Sequence, residues 1–294
     1  MDITIHYLRT HLTPFELNVF LLAFWLVVLT AVFLPAERLF GHRRQKIVRK
    51  GLLTDLAYYF LNNLAPAVIL AYPIYYLGRA VHAFLPWHVH LWVAAMPVWL
   101  QLLAAFLAAQ IGAYWGHRWS HEVPFLWRFH AVHHSAEELD FLVNTRAHPL
   151  DMVFTRLCGY ILIFLLGLSQ PPGHAGDLLP IVIVLIGMFW GFFVHANLRW
   201  RFGPLEWLVA TPAFHHWHHT RGEMTDRNYA ATLPWLDRLF GTYYMPRKQW
   251  PESYGTDTPV SANLAVQLVD PFFPPNKNGA GSPGAVQTST ARTS

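Results

Sequence analysis

Long apolar stretches alternate with short polar ones along most of this chain. Apolar runs extend from about Leu17 to Leu34, Leu52 to Leu77, Leu91 to Trp115, Met152 to Leu168 and Leu178 to Val194. Each approaches or exceeds the ~20 residues that a helix needs to cross the ~30 Å hydrocarbon layer. The pattern predicts an all-α, multi-pass helical membrane protein with about four to five spans. The first run lacks the short apolar core and small-residue cleavage site of a signal peptide and is expected to be retained. The second contains Asn62, Asn63, Pro66 and Pro73, so either one kinked span or a re-entrant pair of half-helices is expected there. After Phe273 too few apolar residues remain to form a core. One membrane-embedded domain, 1–270, followed by a disordered tail, 271–294, is therefore expected.

Composition agrees with a bilayer setting. Hydrophobic residues make up 54% of the chain and Asp, Glu, Lys and Arg only 13%, about half the usual charged share. The chain also has 13 Trp and 12 Tyr, residues favoured at membrane–water interfaces. The net charge of +4 is concentrated in RLFGHRRQKIVRK, Arg38 to Lys50. That is a short loop between spans rather than a nucleic-acid patch. The positive-inside rule places the loop in the cytosol. Counting five spans onward puts residues 115–151, and everything after about 195, on the same side. A cytosolic histidine-rich helical cap and a cytosolic C-terminus follow, in what is expected to be a bacterial inner membrane.

The histidines carry the chemistry. Of 18, eleven lie in clusters between His117 and His219, with the loop residue His174 set apart. His117 and His121, in HRWSHE, are i and i+4 and share a helix face. His130, His133 and His134, in HAVHH, follow i, i+3, i+4, and His215, His218 and His219, in HHWHH, repeat the pattern. His195 ends the fifth apolar run. These nine are too many for one metal and suit two. The single Cys158 offers no thiolate set, and an all-imidazole cluster suits Fe, Zn, Cu or Ni. Imidazoles buried near lipid without partners would each cost several kcal/mol, so a purely structural role does not account for the clusters. His148 and His216 stand between ligand and supporting roles. Metal-bound histidines usually donate their second N–H to an oxygen, and Glu122, Asp151, Glu206 and Asp226 are near in sequence. The isolated His6, His11, His42, His82, His88, His90 and His174 read as interface residues.

Other chemistries fit less well. HEVPF lacks the second histidine of H-E-x-x-H, and bis-histidine haem bundles place single histidines mid-span. No G-x-G-x-x-G or P-loop is present, so electrons are expected from a separate partner. A non-enzymatic membrane metal-binding or transport protein would need polar span centres, whereas YILIFLLGL and IVIVLIGMFWGFF are almost purely apolar.

The succession HRWSHE, WRFHAVHHS and HHWHHT, followed by DRNYAATLPWLDRLFGTYY, resembles the fatty acid hydroxylase superfamily, also called the sterol desaturase family. The resemblance runs from about Thr54 to Phe273. FGPLEWLVATPAFHHWHH is similar to the branch containing alkylglycerol monooxygenase, and NTRAHPLD to the sterol-modifying branches. The resemblance implies a membrane di-iron site that uses O2 as co-substrate and two electrons to hydroxylate a C–H bond of a fatty acyl, sterol-like or ether lipid. A lipid desaturase using the same metals is the alternative. It implies His117, His121, His130, His133, His134, His195, His215, His218 and His219 as ligands, and Asp226, Asn228 and Tyr229 as their support. His148 has no counterpart in some branches, and His216 falls on a variable position. The external electron donor it implies is a ferredoxin, a cytochrome b5-like protein or a reductase.

Overall fold

The apolar stretches are largely helical in the computed structural model, which describes residues 10–168, 178–247 and 249–273. No strand occurs among the described residues, only the isolated bridges Gly41 to Leu198 and Thr220 to Tyr254. Helix α1 (Pro14–Phe40) opens with a Thr13–Glu16 capping box and Pro14 at its first position, where the missing N–H costs nothing. Helix α2 (Leu52–Phe84) is one continuous helix through Pro66 and Pro73. Of the two arrangements expected, the re-entrant pair is ruled out. The third run divides into α3 (Trp87–Ala95) and α4 (Val98–Glu122). Pro97 has no N–H and forces Met96 into an extended conformation, and the helix breaks there.

Among the described residues, three helices are long and apolar enough to cross a membrane, Pro14–Phe40, Leu52–Val81 and Val98–Glu122, and Ile186–His195 is a shorter apolar helix. Helix α4 turns at Val123 into α5 (Pro124–His134). Helix α6 (Pro149–Leu165) packs along α4 in the most extensive helix pair. Gly112 makes that approach possible, since a Cβ there would lie 2.2 Å from the Cys158 carbonyl oxygen. Helix α7 (Leu178–His195) ends on a histidine, and the short α8 (Pro212–His218), α9 (Trp235–Leu239) and α10 (Leu264–Val269) follow. The expected loop 169–177 and the tail from residue 274 lie outside the described residues. Pro271 is buried and Phe272 packs on Phe129, so the chain keeps contact with the body to that point.

One buried ionic network joins the loops at this end of the bundle. Arg49 reaches Asp55 and Asp140, both at 2.6 Å, and Arg146 reaches the other oxygen of Asp55 at 2.5 Å. Arg49, read from the sequence as part of a short basic loop between spans, is therefore a buried structural cation. Its neighbour Lys50 keeps to the surface, beside Glu137. Glu37 of α1 accepts the backbone N–H groups of Phe141 and Asn197 at 2.8 and 2.9 Å, which fastens α1 to the end of α7. Removing one partner of a buried pair leaves an uncompensated charge, so Asp55→Ala is expected to destabilise the protein by ~3–5 kcal/mol. Lys50→Ala, which breaks an exposed pair, is expected to change stability little. Thermal unfolding in detergent micelles compares the two.

Candidate metal centre

Four helix ends converge to make the site. The last two turns of α4 bring His117 and His121, the last two turns of α5 bring His130, His133 and His134, α7 ends at His195, and α8 supplies His215 and His218 with His219 as its C-cap. Thr211 caps α8 by accepting the Phe214 N–H, and Pro212 starts the helix. The nine histidines form two groups: His117, His121, His130, His134 and His218 in one, and His133, His195, His215 and His219 in the other. Within each group the donor nitrogens lie within 4.8 Å of one another.

The division follows from helix geometry. With 3.6 residues per turn, i and i+4 stay on one face while i+3 and i+4 point about 100° apart. His130 and His134 therefore face one group and His133 the other. His215 and His219 face the second group and His218 the first. Each of the two H-x-x-H-H boxes thus serves both groups, rather than forming a single patch.

The second nitrogen of six of the nine rings shows how those rings are set. Nδ1–H donates to the Tyr229 carbonyl from His117 (2.6 Å), to Arg146 from His133, Gly191 from His195 and Arg227 from His218 (each 2.8 Å). His130 donates to Asp151 at 2.9 Å and His121 to Asp226 at 3.1 Å. A carbonyl only accepts, so these bonds fix the tautomer and turn a bare Nε2 lone pair inward. The consequence appears in two pairs. His117 and His130 bring their Nε2 atoms to 3.0 Å, and His133 and His195 to 3.3 Å, with no proton between them. Lone pairs facing each other in a buried site repel, and a shared cation removes the conflict. The buried Nε2 atoms of His121 and His218 also lack partners. Burial, reinforced by neighbouring rings, holds His133, His134, His215, His218 and His219 well below the ordinary imidazole range. Those five rings are therefore neutral, as ligation requires. Donor type, number and orientation all fit two borderline metal ions.

The supporting residues fall into place around this. Tyr229 gives its carbonyl to His117 and lays its ring against His121 at 5.1 Å. Asn228, at φ 57°, donates its amide to the Phe214 and Tyr244 carbonyls and joins α8 to the following loop. Asp237, which no sequence pattern singles out, accepts the Tyr229 and Ala230 N–H groups and the Thr242 hydroxyl. His216 turns away from both groups, accepting from the Tyr254 hydroxyl and donating to the Ala196 carbonyl. His148 caps α6 and donates to the Leu268 carbonyl beside Phe129 and Phe272, none of which belongs to either group. Of the four carboxylates near in sequence, Asp151 and Asp226 reach a ring, whereas Glu122 pairs with Arg118 and Glu206 accepts the Phe202 N–H. The carbonyl partners Gly191, Arg146 and Arg227 carry no side-chain signal, so sequence could not have found them.

Comparison with known proteins bears on the same region. Residues 102–242, which include all nine histidines, match the family described as fatty acid hydroxylase. The chain is 32% identical over 270 residues to ornithine lipid hydroxylase OlsE of Rhizobium tropici, covering 88% of this chain and 78% of that one. It is 32% identical over 178 residues to alkylglycerol monooxygenase of Xenopus tropicalis, covering 60% of this chain but 36% of that protein. It is 27% identical over 257 residues to methylsterol monooxygenase 2-2 of Arabidopsis thaliana, covering 80% and 89%. No solved structure matches. With all three histidine boxes inside the matched region and similarity extending over most of the Rhizobium protein, this chain belongs to the fatty acid hydroxylase family.

Proposed function

We propose that this protein hydroxylates a C–H bond of a membrane lipid at a two-metal centre held by nine histidines, five around one ion and four around the other. The observation that carries the reading is the pair of bare Nε2 contacts, His117 to His130 and His133 to His195, which need a cation between them. Two bound iron ions would supply the oxidising chemistry with O2, one oxygen atom going to the lipid and the other to water. The chain's own share is to fix six of the nine rings through their Nδ1 partners and to exclude bulk water from a buried site. Desaturation of the same substrate is the other outcome that such a site allows.

Placement in the membrane follows the same reading. The basic segment after α1 lies beside the site, with Gly41 bridged to Leu198 and the Asn197 side chain bonded to the Arg43 backbone. The positive-inside rule then favours a cytosolic centre in a bacterial inner membrane. There it meets both lipid substrate and a soluble or membrane-bound electron donor such as a ferredoxin, a cytochrome b5-like protein or a reductase. Sequence similarity to ornithine lipid, alkylglycerol and methylsterol enzymes leaves polar-headgroup, ether and sterol-like lipids as the substrate classes to test.

Metal analysis of the purified protein is expected to give two ions per chain, mostly iron. His133→Ala and His121→Ala, one from each group, should each reduce this to one or none. A wild-type content near zero, or haem absorption, would sink the two-metal reading. Lipid profiling under 18O2 is expected to show one labelled oxygen in a lipid made only when the wild-type gene is present. Loss of two hydrogens without label would instead assign a desaturase.

A further inference from the structure

Hydroxylation by the route above takes two electrons from outside the chain. They must enter through the surface nearest the rings. Among the described residues, only two aromatic side chains other than histidine touch any of the nine: Tyr229 and Trp127. Tyr229 is sealed in the interior at 1% exposure. Trp127 is half-buried. Its ring centroid lies 5.1 Å from His121, 5.5 Å from His134 and 6.2 Å from His130, so it covers three of the five rings of one group while part of it reaches the surface. That surface meets water rather than hydrocarbon. His121, beneath the indole, bonds to Asp226, whose side chain is 67% exposed, and a carboxylate is not left open to lipid.

We propose that Trp127 is the electron-entry residue of this protein, the π system across which a docked one-electron carrier protein reduces the five-histidine site. The proposal rests on the redox reading given above. In balance, a C–H bond, O2, two electrons and two protons give C–OH and water. Two reduced carriers each lose one electron, the protons come from solvent, and Trp127 ends unchanged. Its part is to replace an insulating gap between protein surface and ligand shell with one polarisable ring in contact with three imidazoles. An aliphatic side chain of similar bulk would pack the same space without that electronic contact.

The test avoids dependence on any particular carrier. Val123 is 39% exposed and lies one turn before Trp127, whose N–H it accepts. In a Cys158→Ala background, Val123→Cys is labelled with a ruthenium tris-bipyridine photoreductant, and flash-induced reduction of the oxidised, iron-loaded protein is timed. Trp127→Leu is expected to slow reduction by more than an order of magnitude, Trp127→Phe to stay near the parent rate, and both to keep the parent metal content. Equal rates in the parent and Trp127→Leu would overturn the proposal. So would metal loss in Trp127→Leu, which would make the residue a packing support. An unchanged rate with a new site of hydroxylation would make it a wall of the substrate path, against the proposal. If the parent itself holds no reducible metal, the underlying redox reading fails and takes the role of Trp127 with it.

Discussion

The whole arrangement depends on one constraint: nine imidazoles are packed together, eight of them buried, and each must have one nitrogen bare. A buried ring has two nitrogens to satisfy, and only an acceptor at Nδ1 guarantees a lone pair at Nε2. Four backbone carbonyls and two carboxylates do this for six of the rings. A side-chain acceptor can rotate away, whereas a carbonyl inside a hydrogen-bonded segment cannot. Much of the surrounding structure exists to hold those oxygens still.

The supports trace back from the carbonyls. Asp237 grips the backbone at Tyr229 and Ala230, so the oxygen that orients His117 is tied to α9. Arg146 offers its carbonyl to His133 while its guanidinium is held by Asp55, so the ionic network sets a ring orientation as well as joining helices. Asn62 of α2 clamps the carbonyls on either side, at Thr145 and Ala147. Glu37 anchors the chain just past His195 by accepting the Asn197 N–H two residues on. The long apolar helices thus contribute polar residues at one end, where the site is.

Sequence disclosed what periodicity encodes. Apolar runs marked the helices, and i, i+4 spacing in the first box with i, i+3, i+4 in the other two marked the three boxes, because both are local properties of a helix. It did not disclose the break at Met96–Pro97 inside one apparent span, since hydropathy continues across a proline. It also missed the burial of Arg49, because a basic residue in a basic loop looks solvated until Asp55 and Asp140 are brought to it. Asp151 and Asp226 were within reach as neighbours of the boxes. The carbonyl acceptors were not, since every residue has one and only the tertiary fold chooses among them.

The two adjacent pairs, His133–His134 and His218–His219, have one more implication. In each pair the first ring belongs to one group and the second to the other. Successive Cα atoms across a trans peptide are 3.8 Å apart whatever the surroundings. The interval between the two groups is therefore measured twice by single peptide units, once on each of two helices, like a ruler cut into the backbone. Loops elsewhere can lengthen, shorten or change sequence to suit a different lipid without altering that interval. A fold built this way can diversify its substrates while its reactive spacing stays fixed.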